Sequence, residues 1–178
     1  MQETEPPPAF FSGIMQDMIV RLFELPDGAP LRAALAEKGI RIRRCNPFEA
    51  HILEDWIAKH FSPRWVCESR VAMAHQPSGC FIATKDSAIL GFVCIDATDI
   101  ETARGFIGPM GVGEAARGLG IGKALMLTGL EQMHHLGYAY AIIGGAGPVE
   151  LYKRWVNATP IENSTMGVYE DILPNPQS

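Results

Sequence analysis

The sequence predicts an α/β protein with a mixed, mostly antiparallel central sheet flanked by helices and preceded by an N-terminal strand-helix extension. Three short apolar runs follow one another closely at residues 81–84, 89–95 and 106–112. The turn pair Asp86 and Ser87 separates the first two, which predicts an antiparallel meander. After the meander, segments with helical periodicity alternate with apolar runs. This order predicts further strands that are connected to the sheet by crossover helices. With 178 residues, 47% of them hydrophobic, the chain can bury a core in one domain.

The elements expected before the meander are strand 18–25, helix 30–38, strand 40–44, a helix opened by Pro47 and a helix over 66–74. The first strand is rich in β-branched and aromatic residues and stops at a Pro-Asp-Gly turn. Gly39 ends the first helix, and the second strand alternates apolar and basic residues. The apolar residues expected to share one face of the helix after Pro47 are Phe48, Ile52, Trp56 and Ile57.

The elements expected after the meander begin with a long helix that follows a glycine-dense stretch and ends near Leu136. A buried strand over 138–143, a helix from Pro148 through Trp155 and a last strand over 167–173 follow. The domain organisation is expected to be a flexible segment 1–12, a strand-helix extension 13–39 and a main domain 40–178. The flexible segment is predicted because charged residues and a proline triplet cannot pack.

Charge and cysteine usage exclude several classes of protein. The formal net charge is -5, which argues against general affinity for nucleic acid or an anionic membrane. The four cysteines stand at no metal-ligand spacing, so we expect reduced thiols, no metal site and a cytoplasmic location. Cys94 has no His or Asn at a recognisable spacing and is interpreted as a small buried hydrophobic residue. No apolar stretch is long enough to cross a bilayer.

The segment 111–125 joins a strand to a helix through a loop that has almost no side chains. Such a loop presents unpaired backbone N–H groups at the positive end of the helix dipole, which suits an anion. Glycines at 118, 120 and 122 allow close approach of the backbone, and Arg117 and Lys123 add positive charge. The pattern therefore predicts a phosphorylated ligand.

Two common nucleotide motifs do not fit this segment. A Walker loop needs glycine where Arg117 stands and a hydroxyl residue where Ala124 stands. A dinucleotide fingerprint would begin at Gly111 and would require a helix that runs through the three later glycines, at a cost of about 1 kcal/mol each. Neither motif explains the segment.

The remaining pattern, Arg117 followed by Gly120 and Gly122, resembles the pyrophosphate loop of the GNAT superfamily of acetyl-CoA-dependent N-acetyltransferases. Residues 151–158, LYKRWVNA, are similar to a later helix of that family and stand in the right order. Gly145 and Pro148 depart from the family pattern, which often has Asn and Ala there. The resemblance covers roughly residues 40–173.

The resemblance implies acetyl-CoA as co-substrate and transfer of its acetyl group, by direct attack, to a primary amine of a small molecule or peptide. Tyr152 would be the general acid that returns a proton to the leaving thiolate. A backbone N–H near Val112 would stabilise the oxyanion. The implied cofactor-binding residues are Met110, Gly111, Val112, Arg117, Gly118, Leu119, Gly120, Ile121, Gly122 and Lys123.

Several questions stay open at the level of sequence. The group that takes the proton from the amine could be any of Asp96, Asp99, Glu101, His75 and Glu114. The alternative function is a non-catalytic acyl-CoA-binding or sensing module. The aromatic residues Trp56, Phe61 and Trp65 fit packing better than acceptor binding, and a homodimer is neither supported nor opposed. One arginine of strand 40–44 could contact the 3′-phosphate of the coenzyme, although a solvated basic face is simpler.

Overall fold

The computed structural model of the protein describes residues 16–97, 104–164 and 173. Its strands are β1 (Gln16–Arg21), β2 (Arg41–Arg44), β3 (Cys80–Lys85), β4 (Ala88–Ile95), β5 (Phe106–Val112), β6 (Tyr140–Ala146) and β7 (Thr159–Pro160). Its α-helices are α1 (Ala29–Glu37), α2 (Ala50–His60), α3 (Pro63–Ala74), α4 (Ile121–His135) and α5 (Val149–Val156). Short 3₁₀ turns cover Leu22–Glu24, Pro47–Glu49 and Glu114–Ala116.

The described strands form one seven-stranded sheet in the order β2-β3-β4-β5-β6-β1-β7. Every neighbouring pair is antiparallel except β5 and β6, which run parallel. The meander of β3, β4 and β5 turns first at Asp86 and Ser87, whose φ angles of 49° and 63° suit a tight hairpin. The predicted mixed, mostly antiparallel sheet flanked by helices is confirmed.

Strand β1 has a position that the sequence pattern did not predict. It lies between β6 and β7 and pairs antiparallel with both. Met18 and Val20 are fully buried, so the predicted extension supplies an interior strand of the sheet. The strand ends at Arg21, earlier than expected, because a 3₁₀ turn over Leu22–Glu24 follows it. The division into extension and main domain remains a prediction.

Helices cover both faces of the sheet. Side chains of β4 alternate between them, so Val93 and Ile95 join the core beneath α1, α4 and α5, whereas Phe92 and Cys94 join the core beneath α2 and α3. The long helix α4 contributes the largest share of the first core, including Leu125. Two apolar layers therefore sandwich the sheet.

The predicted apolar face of α2 is confirmed for Ile57, which is buried, and for Trp56, which is partly buried, but was wrong for Phe48 and Ile52. The helix buries Leu53 and Ile57, whereas Phe48 and Ile52 are 76% and 51% exposed. Pro47 opens a 3₁₀ turn and the α-helix proper begins at Ala50, so Phe48 is out of phase with the helical repeat.

Two predicted segments lie outside the described residues, namely the flexible segment 1–12 and residues 167–172 of the last strand. The long helix, the strand after it and the helix after Pro148 are present, with the strand shifted to Tyr140–Ala146. Within 16–97 and 104–164, no helix combines the length and the apolar character that a membrane span requires.

Candidate active site

The two parallel strands separate in the middle of the sheet. Strand β5 pairs with β6 only where Phe106 and Ile107 face Ile142 and Ile143. Pro109 follows, and because proline has no N–H it cannot extend the ladder. The rest of β5 and the end of β6 then enclose an opening, called here the β5–β6 gap.

The β5 side of the gap presents backbone groups that β4 does not pair. Gly113 donates its N–H to the Leu90 carbonyl at 2.9 Å, which fixes the alternation of hydrogen bonds between β5 and β4. By that alternation the polar groups of Gly111 turn toward Phe92, whereas those of Met110 and Val112 turn toward the gap. The edge available to an extended ligand consists of Met110 and Val112.

Gly111 contributes through its lack of a side chain. A Cβ there would lie 2.4 Å from a ring carbon of Phe61. The ring of Phe61 therefore covers the backbone of β5 beside the gap, on the side of α2 and α3.

The β6 side of the gap is held in shape by β1. The register between these strands shifts near the end of β6, where Gly145 has a φ of 53°. Gly145 donates its N–H to Asp17 Oδ1 at 2.8 Å, and Asp17 is 8% exposed. A side chain of the N-terminal strand thus occupies a backbone donor at the irregular end of β6.

A glycine loop, residues 117–120, lies between the 3₁₀ turn after β5 and the first residue of α4. Gly118 and Gly120 have φ angles of 82° and 87°, in the left-handed region that favours glycine. The backbone N–H groups of residues 118–123 donate to no acceptor among the residues that the structure describes. Consecutive backbone N–H groups without acceptors at a helix N-terminus can bind the oxygens of a diphosphate, so this loop fits a diphosphate group.

The predicted cofactor-binding residues of the loop differ in burial: one packs in the core, and the others are exposed or half-buried. Ile121 is buried and fixes the start of α4 in the core. Arg117 is exposed, and its Nε donates to the Val112 carbonyl at 3.5 Å. Lys123 is half-buried on the first turn of α4, and Leu119 is exposed. The two cations therefore flank the free N–H groups.

Tyr152 lies on α5, the helix that directly follows β6. Trp155, one turn later, packs close to Gly122, where a Cβ would meet its ring at 3.1 Å. Helix α5 therefore lies beside the N-terminus of α4. Tyr152 is partly buried, and its hydroxyl makes no hydrogen bond with the described residues. Burial raises the pKa of Tyr152, so the phenol keeps its proton at neutral pH.

Of the predicted proton acceptors, the structure describes Asp96, His75 and Glu114. Asp96 accepts hydrogen bonds from the Gly105 N–H at 2.8 Å and the Tyr138 hydroxyl at 2.7 Å. Burial and this bond to Asp96 raise the pKa of Tyr138 to about 12. Asp96 lies beyond the end of β4 that pairs with the start of β5, far along the strand from Val112. His75 caps α3, and Glu114 is exposed.

Asp99 and Glu101 fall outside the described residues.

Two arginines of β2 are engaged inside the protein. Arg43 forms two 2.7 Å hydrogen bonds with Glu49, and this pairing lowers the pKa of Glu49 to about 2. Arg44 donates to the Ser78 carbonyl and to Gln132 Oε1, and its guanidinium lies 4.6 Å from the centre of the Phe81 ring. These contacts favour a structural role over a contact with the coenzyme.

An aromatic cluster, Trp56, Phe61, Trp65 and Phe92, borders the gap on the side of α2 and α3. Phe61 and Trp65 stack with ring centres 4.8 Å apart, and Trp56 lies 5.7 Å from Phe61. Phe92 is fully buried, whereas the other three are only partly buried. The cluster therefore combines core packing with an accessible apolar wall.

Glu68, on α3, was missed at the level of sequence. It lies three residues after Trp65 and four before the fully buried Ala72, so it belongs to the inner side of the helix. Burial raises the pKa of its carboxyl group, and the nearby Arg64 lowers it to a lesser extent. This helical spacing was a usable signal, but the sequence alone did not reveal which sheet residues the helix covers.

A glycine loop at a helix N-terminus suits a phosphate group, and an unpaired strand edge beside it suits an extended chain, so the site fits a protein that binds an elongated, phosphorylated ligand. The family model described as "Acetyltransferase (GNAT) family" matches residues 43–154, which is more than half of the chain. The chain belongs to this family. This membership agrees with acetyl-CoA as the predicted co-substrate.

Solved structures have the same fold at low sequence identity. A GCN5-related glucosamine N-acetyltransferase region of a fungal multi-domain GH3 β-N-acetylglucosaminidase superposes with a TM-score of 0.68 at 15% identity, covering 84% of this chain and 20% of that one. A GCN5-related N-acetyltransferase from Sphaerobacter thermophilus gives 0.63 at 19% identity, with coverages of 82% and 48%. The chain thus spans half or less of these proteins. A comparison with curated protein sequences finds no match.

Proposed function

We propose that the protein is an N-acetyltransferase that moves the acetyl group of acetyl-CoA to a primary amine of a small molecule or peptide. One observation carries the proposal. The free N–H groups of residues 118–123 lie at the end of a strand whose own free edge borders the gap. A diphosphate at the first and an extended arm along the second match the two parts of one cofactor.

The predicted cofactor-binding residues hold different parts of the acetyl donor, acetyl-CoA. Residues 118–123 and Arg117 bind the diphosphate, with Lys123 as a second cation. Met110 pairs with the pantetheine arm through its free backbone groups, as an added strand pairs with a sheet edge. The Val112 carbonyl joins this pairing when Arg117, which donates to it at 3.5 Å, turns to the diphosphate. Gly111 supports this pairing by leaving room for the Phe61 ring above it.

The chemical step is direct attack of a neutral amine on the thioester carbonyl. The N–H of Val112, turned toward the gap, stabilises the developing oxyanion. As the carbon–sulfur bond breaks, the Tyr152 hydroxyl donates a proton to the thiolate. Burial makes Tyr152 a weaker acid than a free phenol, so the proton leaves it only when a strong base forms beside it.

Binding and turnover test the proposal separately. Isothermal titration should detect acetyl-CoA binding, and a thiol-specific dye should detect coenzyme A release in the presence of a panel of primary amines. Arg117→Ala should weaken binding of acetyl-CoA about tenfold and leave binding of S-acetylpantetheine, which lacks the diphosphate, unchanged. An equal loss for both ligands would contradict the assignment of the loop.

The same experiment addresses the alternative of a sensing module. Binding of acetyl-CoA without thiol release from any amine of the panel would favour that module. No uptake of acetyl-CoA would refute both functions.

A further inference from the structure

Strand β1 lies outside the part of the chain that matches the family model, which begins at residue 43. It nevertheless pairs along β6, one of the two strands that enclose the β5–β6 gap. Asp17 of β1 is 8% exposed, and its Oδ1 accepts the N–H of Gly145 at 2.8 Å. This contact at the end of β6 indicates that β1 contributes to the shape of the gap.

Strand β6 has a bulge directly after its last pair with β5. Ile143 is the last residue of β6 that pairs with β5, and it also pairs with Met18 of β1. Between this pair and the next pair along β1, β6 has two residues, 144 and 145, opposite the single residue Asp17. An extra residue of this kind bends the strand that carries it. Strand β6 therefore bends where it leaves β5, while its end remains paired with β1.

The carboxylate of Asp17 takes the place of a main-chain acceptor at this bulge. Ile142 donates its N–H to the Gly105 carbonyl on the side of β5, so the N–H of Gly145, three residues later, is expected on the side of β1. The carbonyl of Asp17 accepts the Ile161 N–H at 2.8 Å on the side of β7 instead. A buried N–H without an acceptor is costly, so the bond from Gly145 to the carboxylate stabilises the bulge.

Asp17 is itself fixed from the side of β7. Its N–H donates to Ser164 Oγ at 2.9 Å, and that hydroxyl donates to the Ile161 carbonyl at 2.7 Å. Within the described ranges, Asp17 forms no ion pair with a lysine, arginine or histidine. Its contribution is therefore the hydrogen bond to Gly145, and an asparagine oxygen could accept the same N–H.

The width of the gap explains why the end of β6 has to be held. Paired strands lie about 4.8 Å apart, so an extended chain fits between two strands only where they are about 10 Å apart. Pro109 removes one donor from β5, but the carbonyls of β5 could still accept N–H groups of β6. Opening the gap therefore also requires that the end of β6 be kept away from β5.

On the basis of the proposed function, we infer that Asp17 is a positioning residue for the cofactor, whose hydrogen bond to Gly145 holds the end of β6 against β1 and keeps the gap wide enough for the pantetheine arm. Asp17 acts through Gly145 and takes no part in proton transfer. The glycine loop follows β5 rather than β6, so diphosphate binding does not depend on Asp17. The N-terminal strand is then a part of the cofactor site.

The test compares acetyl-CoA with two of its fragments by isothermal titration. S-Acetylpantetheine contains the arm without the diphosphate, and 3′-phosphoadenosine 5′-diphosphate contains the diphosphate without the arm. Asp17→Ala should weaken binding of acetyl-CoA and S-acetylpantetheine about tenfold and leave binding of the nucleotide unchanged. Arg117→Ala should show the reverse pattern for the two fragments, because its guanidinium is assigned to the diphosphate.

Two control variants separate this role from a general loss of structure. Asp17→Asn retains an oxygen that can accept the Gly145 N–H, so it should bind all three ligands as the wild type does. Asp27→Ala removes another acid that precedes the family match, whose Oδ1 accepts the Ala29 N–H at 2.9 Å in an exposed turn. It should leave all three affinities unchanged, because this turn does not contact β6 through that bond.

Three results would overturn the inference while sustaining the proposed function. These are wild-type affinity of Asp17→Ala for S-acetylpantetheine, an equal loss of affinity for all three ligands, and a defect of Asp17→Asn as large as that of Asp17→Ala. The second result would show that Asp17 supports the whole fold, and the third that its charge matters rather than its hydrogen bond. If the wild-type protein binds neither acetyl-CoA nor either fragment, the proposed function fails as well.

Discussion

Gly111→Ala tests whether the Phe61 ring is seated on the backbone of β5. The new Cβ would meet three ring carbons of Phe61 at 2.4, 2.7 and 2.9 Å. Carbon atoms prefer a separation of about 3.5–4.0 Å, so the ring would have to move by roughly 1 Å. It is stacked 4.8 Å from Trp65, which resists that movement. Overpacking of this kind costs about 1–3 kcal/mol, and the entropy gained by replacing glycine offsets about 0.5–1 kcal/mol of it.

The net effect should be a loss of about 1–2 kcal/mol in the free energy of unfolding, measured by urea denaturation followed by circular dichroism. In a domain of this size each kcal/mol lowers Tm by about 2–4 °C. The same substitution in a Phe61→Ala background should cost less than about 0.5 kcal/mol, because the ring is gone. Gly113→Ala is the matched control, since its Cβ would lie 3.3 Å from Trp56 and does not depend on Phe61.

An equal cost of Gly111→Ala in both backgrounds would refute the assignment of the clash to Phe61. A coupling of the same size for Gly113→Ala would show that the loss of Phe61 rearranges the whole strand end. Either result would also remove the reason for placing the aromatic cluster beside the gap.

Three further predictions concern other parts of the protein. Tyr152→Phe should lower kcat by about 100-fold or more while leaving the Kd of acetyl-CoA unchanged, and equal losses of both would argue against a proton donor. Glu49→Gln should destabilise the protein by about 1 kcal/mol at pH 7. Because the folded pKa of Glu49, about 2, is below its unfolded value, this contribution is present above pH 4.5 and disappears as pH falls toward 2, so thermal unfolding of the two proteins should converge in acid. Gly120→Ala forces alanine to a φ of 87° and should cost about 1–2 kcal/mol and weaken acetyl-CoA binding, whereas Gly147→Ala, in open space, should be neutral in both assays.

Local patterns were sufficient to predict much of the donor side. The turn pair Asp86 and Ser87 between two apolar runs predicts the hairpin, because a two-residue turn and alternating side chains act within a few residues of each other. The glycine loop could be predicted from the sequence for a similar reason, since its features are local. Left-handed φ angles at Gly118 and Gly120, and free N–H groups at a helix start, are properties of the local backbone.

The acceptor side required the tertiary structure, because it depends on which surfaces meet across large separations in sequence. No local signal indicates that β1 inserts between β6 and β7 and places Asp17 on the N–H of Gly145, 128 residues away. Phe48 was assigned to the buried face of α2 because the sequence does not show that a 3₁₀ turn after Pro47 changes the phase of the helix. Glu68 could be placed on the inner side of a helix from its spacing. Only the packing of α3 against the sheet shows which strand residues this side covers, among them Phe92 and Cys94 of β4.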